Sequence, residues 1–310
     1  MPERPPERSY DCLVVGGGPA GLTAAIYLAR FHLSVLVADA GHSRAMLIPK
    51  TRNHAGFPEG ITGPNLLRRM NQQARICGAQ VLEQAVDAIE PDGDGFRARG
   101  AFGSVRASAV LLATGIVNNR PPTMANDLHD EALARGLLRY CPICDGYEVT
   151  DLAVGVIGTG AHGVREAMFL RSYTADLTLI APEGAHDLDA AQAQALDAAG
   201  IRRVDGPAAH FDLAANQIQV LTAAGFLGFA SLYPALGSAI RSELAVALGA
   251  ATSADGCLLV DAHQRTSLPG LYAAGDVVKG LDQISHAMGE GGVAATTMRN
   301  DLAERRRIWR

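Results

Sequence analysis

The stretch Gly16-Gly17-Gly18-Pro19-Ala20-Gly21 follows a short β-rich apolar run, Tyr10 to Val15, and leads straight into a helical pattern from Leu22 to Arg30. No other feature of the chain limits its fold as tightly. Gly16 permits the tight turn, Gly18 lets the backbone approach a pyrophosphate, and Gly21 lets helix and strand pack closely, with phosphates received at the helix N-terminus. A second strand, Leu33 to Ala38, ends in Asp39, at the distance where an acid grips a ribose hydroxyl. GxGxxG alone is weak evidence; strand, turn, helix, strand and acid in series specify a dinucleotide-binding βαβ unit. The motif does not by itself separate FAD from NAD.

The pattern occurs twice. Leu152 to Ile157 reads as a strand, Gly158-Thr159-Gly160-Ala161-His162-Gly163 as the turn, and Val164 to Arg171 as the helix. Upstream, Arg120-Pro121-Pro122 interrupts regular structure and suits a hinge. A chain of 310 residues supports about two domains. Its 48% hydrophobic content with only 5% aromatics suits helices packed closely on sheets. The expected fold class is α/β, with two Rossmann-like dinucleotide-binding domains, the second inserted into the first. Residues 1–118 plus 241–310 would form one domain and residues 119–240 the other.

The inserted part carries Tyr140-Cys141-Pro142-Ile143-Cys144-Asp145-Gly146-Tyr147-Glu148, two thiols at CxxC spacing with an acid directly after the second. Such a pair can close a small disulfide, and a nearby positive charge makes thiolate available at neutral pH. Pro142 stiffens the loop, and Asp145 is placed to hand a proton to the thiolate that leaves when the disulfide is attacked. The competing reading is a structural zinc half-site, which needs a second ligand pair. Cys12, Cys77 and Cys257 are single and far apart, with no His at finger spacing, so the residues favour redox chemistry and no metal. Cys12 and Cys257 read as buried small apolar residues in strands.

A net charge of −5 argues against a nucleic-acid partner, and Arg305-Arg306-Arg307 reads as a solvated helix end. No apolar run approaches bilayer length. The opening Met1-Pro-Glu-Arg-Pro-Pro-Glu-Arg lacks the apolar centre of a signal peptide and reads as a disordered lead. A reducing cytoplasm is the expected compartment, where a CxxC pair is catalytic rather than structural.

At the far end, Thr266 to Ala274 reads as strand, Gly275-Asp276-Val277 follows, and Gln283-Ile284-Ser285 opens a helix running to about Asn300. Here the chain resembles the low-molecular-weight thioredoxin reductase family of flavoproteins, and the resemblance covers nearly its whole length. It implies the three-layer ββα fold of flavoprotein disulfide reductases, bound FAD and a homodimer. By resemblance Gly16, Gly18, Pro19, Ala20 and Gly21 face the FAD pyrophosphate, Asp39 the ribose, and Gly275 and Asp276 the ribityl region. Gln283 and Ile284 would lie beside the flavin ring, Ala113-Thr114-Gly115 matches the crossover after a strand at Ser108 to Leu112, and Asn53 matches the flavin-side loop. Cys144 would then be the thiol nearer the flavin, Cys141 the interchange thiol that attacks a thioredoxin-like protein disulfide, and Asp145 the acid.

One stretch departs from the family. After the strand Leu177 to Ile180, where the family places arginines that hold the 2′-phosphate of NADPH, this chain has Ala181-Pro182-Glu183-Gly184-Ala185-His186-Asp187. Acids there repel a 2′-phosphate and tolerate a ribose hydroxyl, so NADPH is disfavoured and NADH remains open through Glu183. Arg202 and Arg203 are the nearest cations in sequence, and His162 enlarges the turn. The favoured reading keeps the second fold as a scaffold for the CxxC. Two branches of the family lack the NADPH signature: ferredoxin-dependent flavin thioredoxin reductases, and dithiol oxidases that close disulfides in small molecules with O2 as acceptor. The oxidases usually carry His after the second Cys, so Asp145 favours reduction of a protein disulfide, with ferredoxin one of the donors left open. A non-enzymatic flavin redox sensor is a third reading. Trp309, beside the chain end, is either a partner-surface anchor, a frayed end or a ring that stacks on the flavin.

Overall fold

Four-residue runs such as Val35–Ala38, Val154–Ile157 and Leu177–Ile180 are buried along their whole length. Continuous apolar strands of this kind belong to parallel sheets covered on both faces. The computed structural model, which describes residues 8–308, contains two such sheets. The chain divides into two compact units: the described parts of Met1–Met46, Gly63–Val117 and Ile240–Arg310, and then Leu47–Thr62 with Asn118–Ala239. The segments that cross between them, Ile116–Asn118 and Ser238–Ile240, pair as a two-stranded sheet.

In the first unit the strand order is Gln80–Leu82, Val35–Ala38, Arg8–Val15, then the long strand Gly103–Leu112. That last strand forks. Its second half pairs in parallel with Leu271–Ala273, while its first half pairs antiparallel with Gly95–Gly100, which in turn pairs with Ala88–Asp92. The fork creates the extra β layer of the three-layer ββα arrangement. The helices Pro19–Arg30 and Ile284–Arg305 lie closely together, because Gly291 and Ala20 offer no bulk between them: a Cβ on Gly291 would stand 2.3 Å from the Ala20 carbonyl oxygen.

The second unit has the parallel order Arg202–Val204, Leu177–Ile180, Val154–Ile157, Ser231–Pro234, and a separate antiparallel meander of three strands between His210 and Phe229. Tyr233, on the last parallel strand, is fully buried in the core with Val156, Leu170 and Leu179. Leu47–Thr62 joins this unit through the Arg52–Glu148 ion pair at 3.2 Å. No helix among the described residues is long and apolar enough to cross a membrane.

Element limits differ from the sequence reading where side chains override local pattern. The strand expected over Thr266 to Ala274 shrinks to Leu271–Ala273, since the Thr266 hydroxyl bonds into its own turn, donating to the Leu271 carbonyl at 2.8 Å, and Pro269 has no N–H to pair. The final helix continues past Asn300 to Arg305. Asp301 anchors that extension by accepting from Arg265 at 2.7 Å and from Tyr272 at 2.6 Å. Arg305, Arg306 and Arg307 are exposed, as a solvated helix end requires, and at the surface Arg305 meets the Asp94 carbonyl and Arg306 meets Asp11. Cys12 is fully buried, but Cys257 is only half-buried, because it lies in the loop between Ser253 and Leu258 rather than in a strand. Trp309 lies outside the described residues.

Candidate active site

Cys141 and Cys144 form a disulfide with Cα atoms 5.2 Å apart. Local chemistry places them. Cys141 is the N-cap of the short helix Pro142–Asp145, Pro142 presets φ at the first helical position, and the Cys141 sulfur accepts from the Cys144 N–H at 3.2 Å. Both cysteines are half-buried, whereas Ile143 is 47% and Tyr147 80% exposed, so the bridge sits beside apolar side chains open to solvent. Gly146 leaves room for the Tyr173 ring, which a Cβ would meet at 2.6 Å.

Asp145 completes the constellation. Its Oδ1 accepts from the Tyr233 hydroxyl at 2.9 Å and its Oδ2 pairs with Arg139 at 3.0 Å. Burial pushes the Asp145 carboxyl up from the ordinary range, with the Arg139 guanidinium and the Tyr233 hydrogen bond opposing it. Asn53 belongs to the same unit and donates to the Ile143 carbonyl at 3.4 Å, within the dithiol loop. Upstream, the buried His129 ring joins the Tyr140 hydroxyl at 3.0 Å to Asp130 at 2.8 Å; burial holds His129 below its ordinary pKa and raises Tyr140 to about 12.

In the first unit the opening turn forms a bare backbone cradle. Gly18 caps the helix Pro19–Arg30 with no side-chain hydrogen bond, leaving its first N–H groups available to an anion. Gly16 has φ +110°, and a Cβ there would lie 2.2 Å from the Ala113 carbonyl oxygen; on Gly21 a Cβ would lie 2.0 Å from the Gly16 oxygen. Ala113 is hydrogen-bonded to Val15 at 2.8 Å, Thr114 donates to the Arg241 carbonyl at 2.6 Å, and the Gly115 carbonyl accepts from the Arg241 N–H at 3.0 Å. The Asp39 carboxylate stands over Gly17, 2.4 Å from where a Cβ would be, and accepts from the Gly41 N–H at 3.2 Å. Gly275 donates to Glu290 at 2.7 Å, Asp276 pairs with Arg44 at 3.2 Å, and Gln283 caps the helix that begins at Ile284. An uncapped helix end, glycines that exclude a Cβ and an acid at the end of the second strand are the parts a dinucleotide needs.

The chain matches the pyridine nucleotide-disulphide oxidoreductase family over residues 10–291. It belongs to that family. The thioredoxin reductase of Peptoclostridium acidaminophilum is 29% identical over 94% of this chain and 96% of its own length. Among solved structures, HlmI superposes with a TM-score of 0.87 at 27% identity, over 96% of this chain and 93% of that one. The thioredoxin reductase of Streptococcus pyogenes MGAS5005 gives 0.87 at 25% identity, over 96% and 99%. The protein is thus a flavin-dependent disulfide oxidoreductase of thioredoxin reductase type, with a redox-active CxxC.

Several charged partners in this disulphide oxidoreductase are far apart along the chain and carry no local signal. Arg44 bridges Asp276 and Asp282 at 3.2 and 3.3 Å, and His286 pairs with Glu290 at 3.0 Å. Burial first, and then the neighbouring Asp276 carboxylate, raise Asp282 to about 6 against the pull of Arg44. A carboxyl raised in the folded state favours folding while it is protonated, and that contribution is lost as pH climbs from about 4 through about 6. Asp282→Asn is therefore expected to stabilise the protein at pH 7.5 and not at pH 4. Solvent screening at a side chain 41% exposed limits the gain to about 1 kcal/mol, or ~2 °C in the unfolding midpoint. Thermal unfolding of both proteins at the two pH values checks the sign.

Proposed function

We propose that the protein is an FAD-dependent thiol-disulfide oxidoreductase that moves two electrons through the Cys141/Cys144 disulfide to a protein disulfide such as that of thioredoxin, with a donor other than NADPH, for which a ferredoxin-type protein is the candidate to test. The observation that carries this reading is the half-buried Cys141–Cys144 disulfide followed at once by Asp145, whose carboxyl is held by Arg139 and Tyr233.

Gly16, Gly18, Pro19, Ala20, Gly21 and Asp39 would hold the pyrophosphate and ribose of FAD, with Ala113, Thr114, Gly115, Gly275, Asp276, Gln283 and Ile284 lining the remainder; resemblance adds Asn53. Bound there, FAD supplies a carrier of two electrons. Opening the disulfide takes up two electrons, which FAD would supply when bound: the S–S bond breaks, both sulfurs become thiolates, and Asp145 gives the leaving one a proton. Cys141 then attacks the partner disulfide as thiolate. Cys144 displaces the partner's second thiol and recloses the bridge, so one disulfide replaces another and electrons balance.

Three features support independence from NADPH. No arginine occurs between Ala181 and Asp187. The Thr159 hydroxyl of the second glycine turn accepts from the Asp187 N–H at 2.8 Å, which brings residues of that acidic loop onto the turn. Arg202 donates to Thr178 at 3.1 Å and Arg203 to Asp197 at 2.5 Å, so both nearby cations are engaged elsewhere. Added separately to the flavin-loaded protein without oxygen, reduced ferredoxin is expected to bleach the flavin band and oxidised thioredoxin then to restore it. Bleaching by micromolar NADPH would overturn the donor assignment, and rapid peroxide release with small dithiols in air would replace the reductase by a dithiol oxidase.

A further inference from the structure

We propose that Arg139 and Tyr233 are positioning residues that hold the Asp145 carboxyl in place and set the pH at which it carries the proton needed by the leaving thiolate. The inference deepens, and rests on, the role of Asp145 given above.

The three groups share one frame. The Arg139 N–H donates to the Leu232 carbonyl at 2.9 Å, which stitches the segment before the dithiol to the strand carrying Tyr233. The Arg139 side chain, 16% exposed, also donates from Nε to the Gly136 carbonyl at 3.0 Å, so its guanidinium has little freedom to leave Asp145. The fully buried Tyr233 hydroxyl donates to Asp145 from the sheet side. With Oδ1 engaged by Tyr233 and Oδ2 by Arg139, the carboxyl of Asp145, the residue after Cys144, is held in a single orientation.

Glu148, on the turn after the dithiol, acts against ionisation of Asp145, and Arg52 pairs with Glu148 at 3.2 Å. The adjoining helix Gly160–Leu170 carries His162, Arg165 and Glu166, and Tyr173 lies against Gly146. Arg139 is the strongest of the influences that oppose burial at Asp145. A buried carboxyl without a cation keeps its proton at neutral pH; a guanidinium 3.0 Å away favours its release. Tyr233 acts in the same direction, because its O–H can bond the anion better than the acid.

The consequence runs against the usual effect of removing a buried ion pair, which is loss of function. Arg139→Met should leave Asp145 protonated to higher pH and so keep the acid in service longer. The test follows reduction of the enzyme disulfide by dithiothreitol in the full-length, flavin-loaded protein, by rapid quench and alkylation of the new thiols, from pH 5 to 9. Protein disulfide and dithiothreitol give protein dithiol and oxidised dithiothreitol. Dividing each variant's rate by the wild-type rate at the same pH cancels the ionisation of the reductant.

For Arg139→Met the ratio is expected to be flat at low pH and to rise to about tenfold at high pH, as the limb moves up by about one pH unit. Arg139→Lys should restore the wild-type limb, and Tyr233→Phe should move it upward by less. A ratio for Arg139→Met that does not change with pH would mean that the arginine serves folding alone and would overturn the inference. Should Arg139→Met fail to fold, Tyr233→Phe decides, since an unmoved limb there overturns it equally. Asp145→Asn separates the two ideas: its ratio to wild type should be lowest below the limb, where the wild type still has its acid, and rise toward one above it, where the wild type has lost that proton too. A pH-independent Asp145→Asn ratio sinks the acid role itself.

Discussion

Cys141→Ser is expected to lower multiple-turnover reduction of a protein disulfide by at least about a thousandfold, while the flavin is still reduced by its donor. The loss is chemical. A serine hydroxyl at the same place is neither ionised near neutral pH nor able to enter a disulfide, so no interchange can begin. The structural cost is small by comparison. Cys141 is half-buried at a helix N-cap, and serine is a favoured residue there. In the native dithiol, the Cys144 N–H that now reaches the Cys141 sulfur at 3.2 Å would stabilise the thiolate, which suits Cys141 to attack. Anaerobic bleaching and thioredoxin turnover, measured on one preparation, report the two halves separately. Turnover by Cys141→Ser at the wild-type rate would disprove the assignment of Cys141 as the interchange thiol.

The parts of this enzyme that could be read in the sequence are those whose chemistry is local. Gly16 to Gly21 and Gly158 to Gly163 each follow an apolar strand and open a helix, and the spacing of Cys141 and Cys144 permits only a small ring of chain between sulfurs. Rossmann-type sheets and a Cys141–Cys144 disulfide are what the structure contains. Partners that approach through space leave no such mark. Tyr233 is 88 residues from the Asp145 it bonds, and Arg44 is 232 residues from Asp276. Each is an ordinary tyrosine or arginine in its own neighbourhood, with no periodicity to single it out. The same holds for the membership of Leu47–Thr62 in the second unit, where Arg52 meets Glu148 and Asn53 meets the Ile143 carbonyl, and for the short strand at Leu271–Ala273, where a threonine side chain claims the backbone first.

Gly16→Ala is expected to destabilise the protein by about 3 kcal/mol or more and to yield protein without bound flavin. Two causes add at this position. A side chain at φ +110° is strained wherever it occurs, and here the new Cβ would also stand 2.2 Å from the Ala113 carbonyl oxygen, a backbone atom that cannot rotate away. Relief requires the turn to lift from the crossover, and the first N–H groups of the opening helix then lose the position from which they would meet a pyrophosphate. Gly41 isolates the first cause, because it has φ +80° with nothing within 4 Å of its notional Cβ. Gly41→Ala should therefore cost only the backbone strain, about 1–2 kcal/mol, and retain the cofactor. Denaturant unfolding gives the two stabilities, and the flavin absorbance of the purified proteins gives the occupancy. If Gly16→Ala behaves like Gly41→Ala in both, the close approach of the turn to Ala113 does not govern cofactor binding, and the cradle assigned to FAD must lie elsewhere.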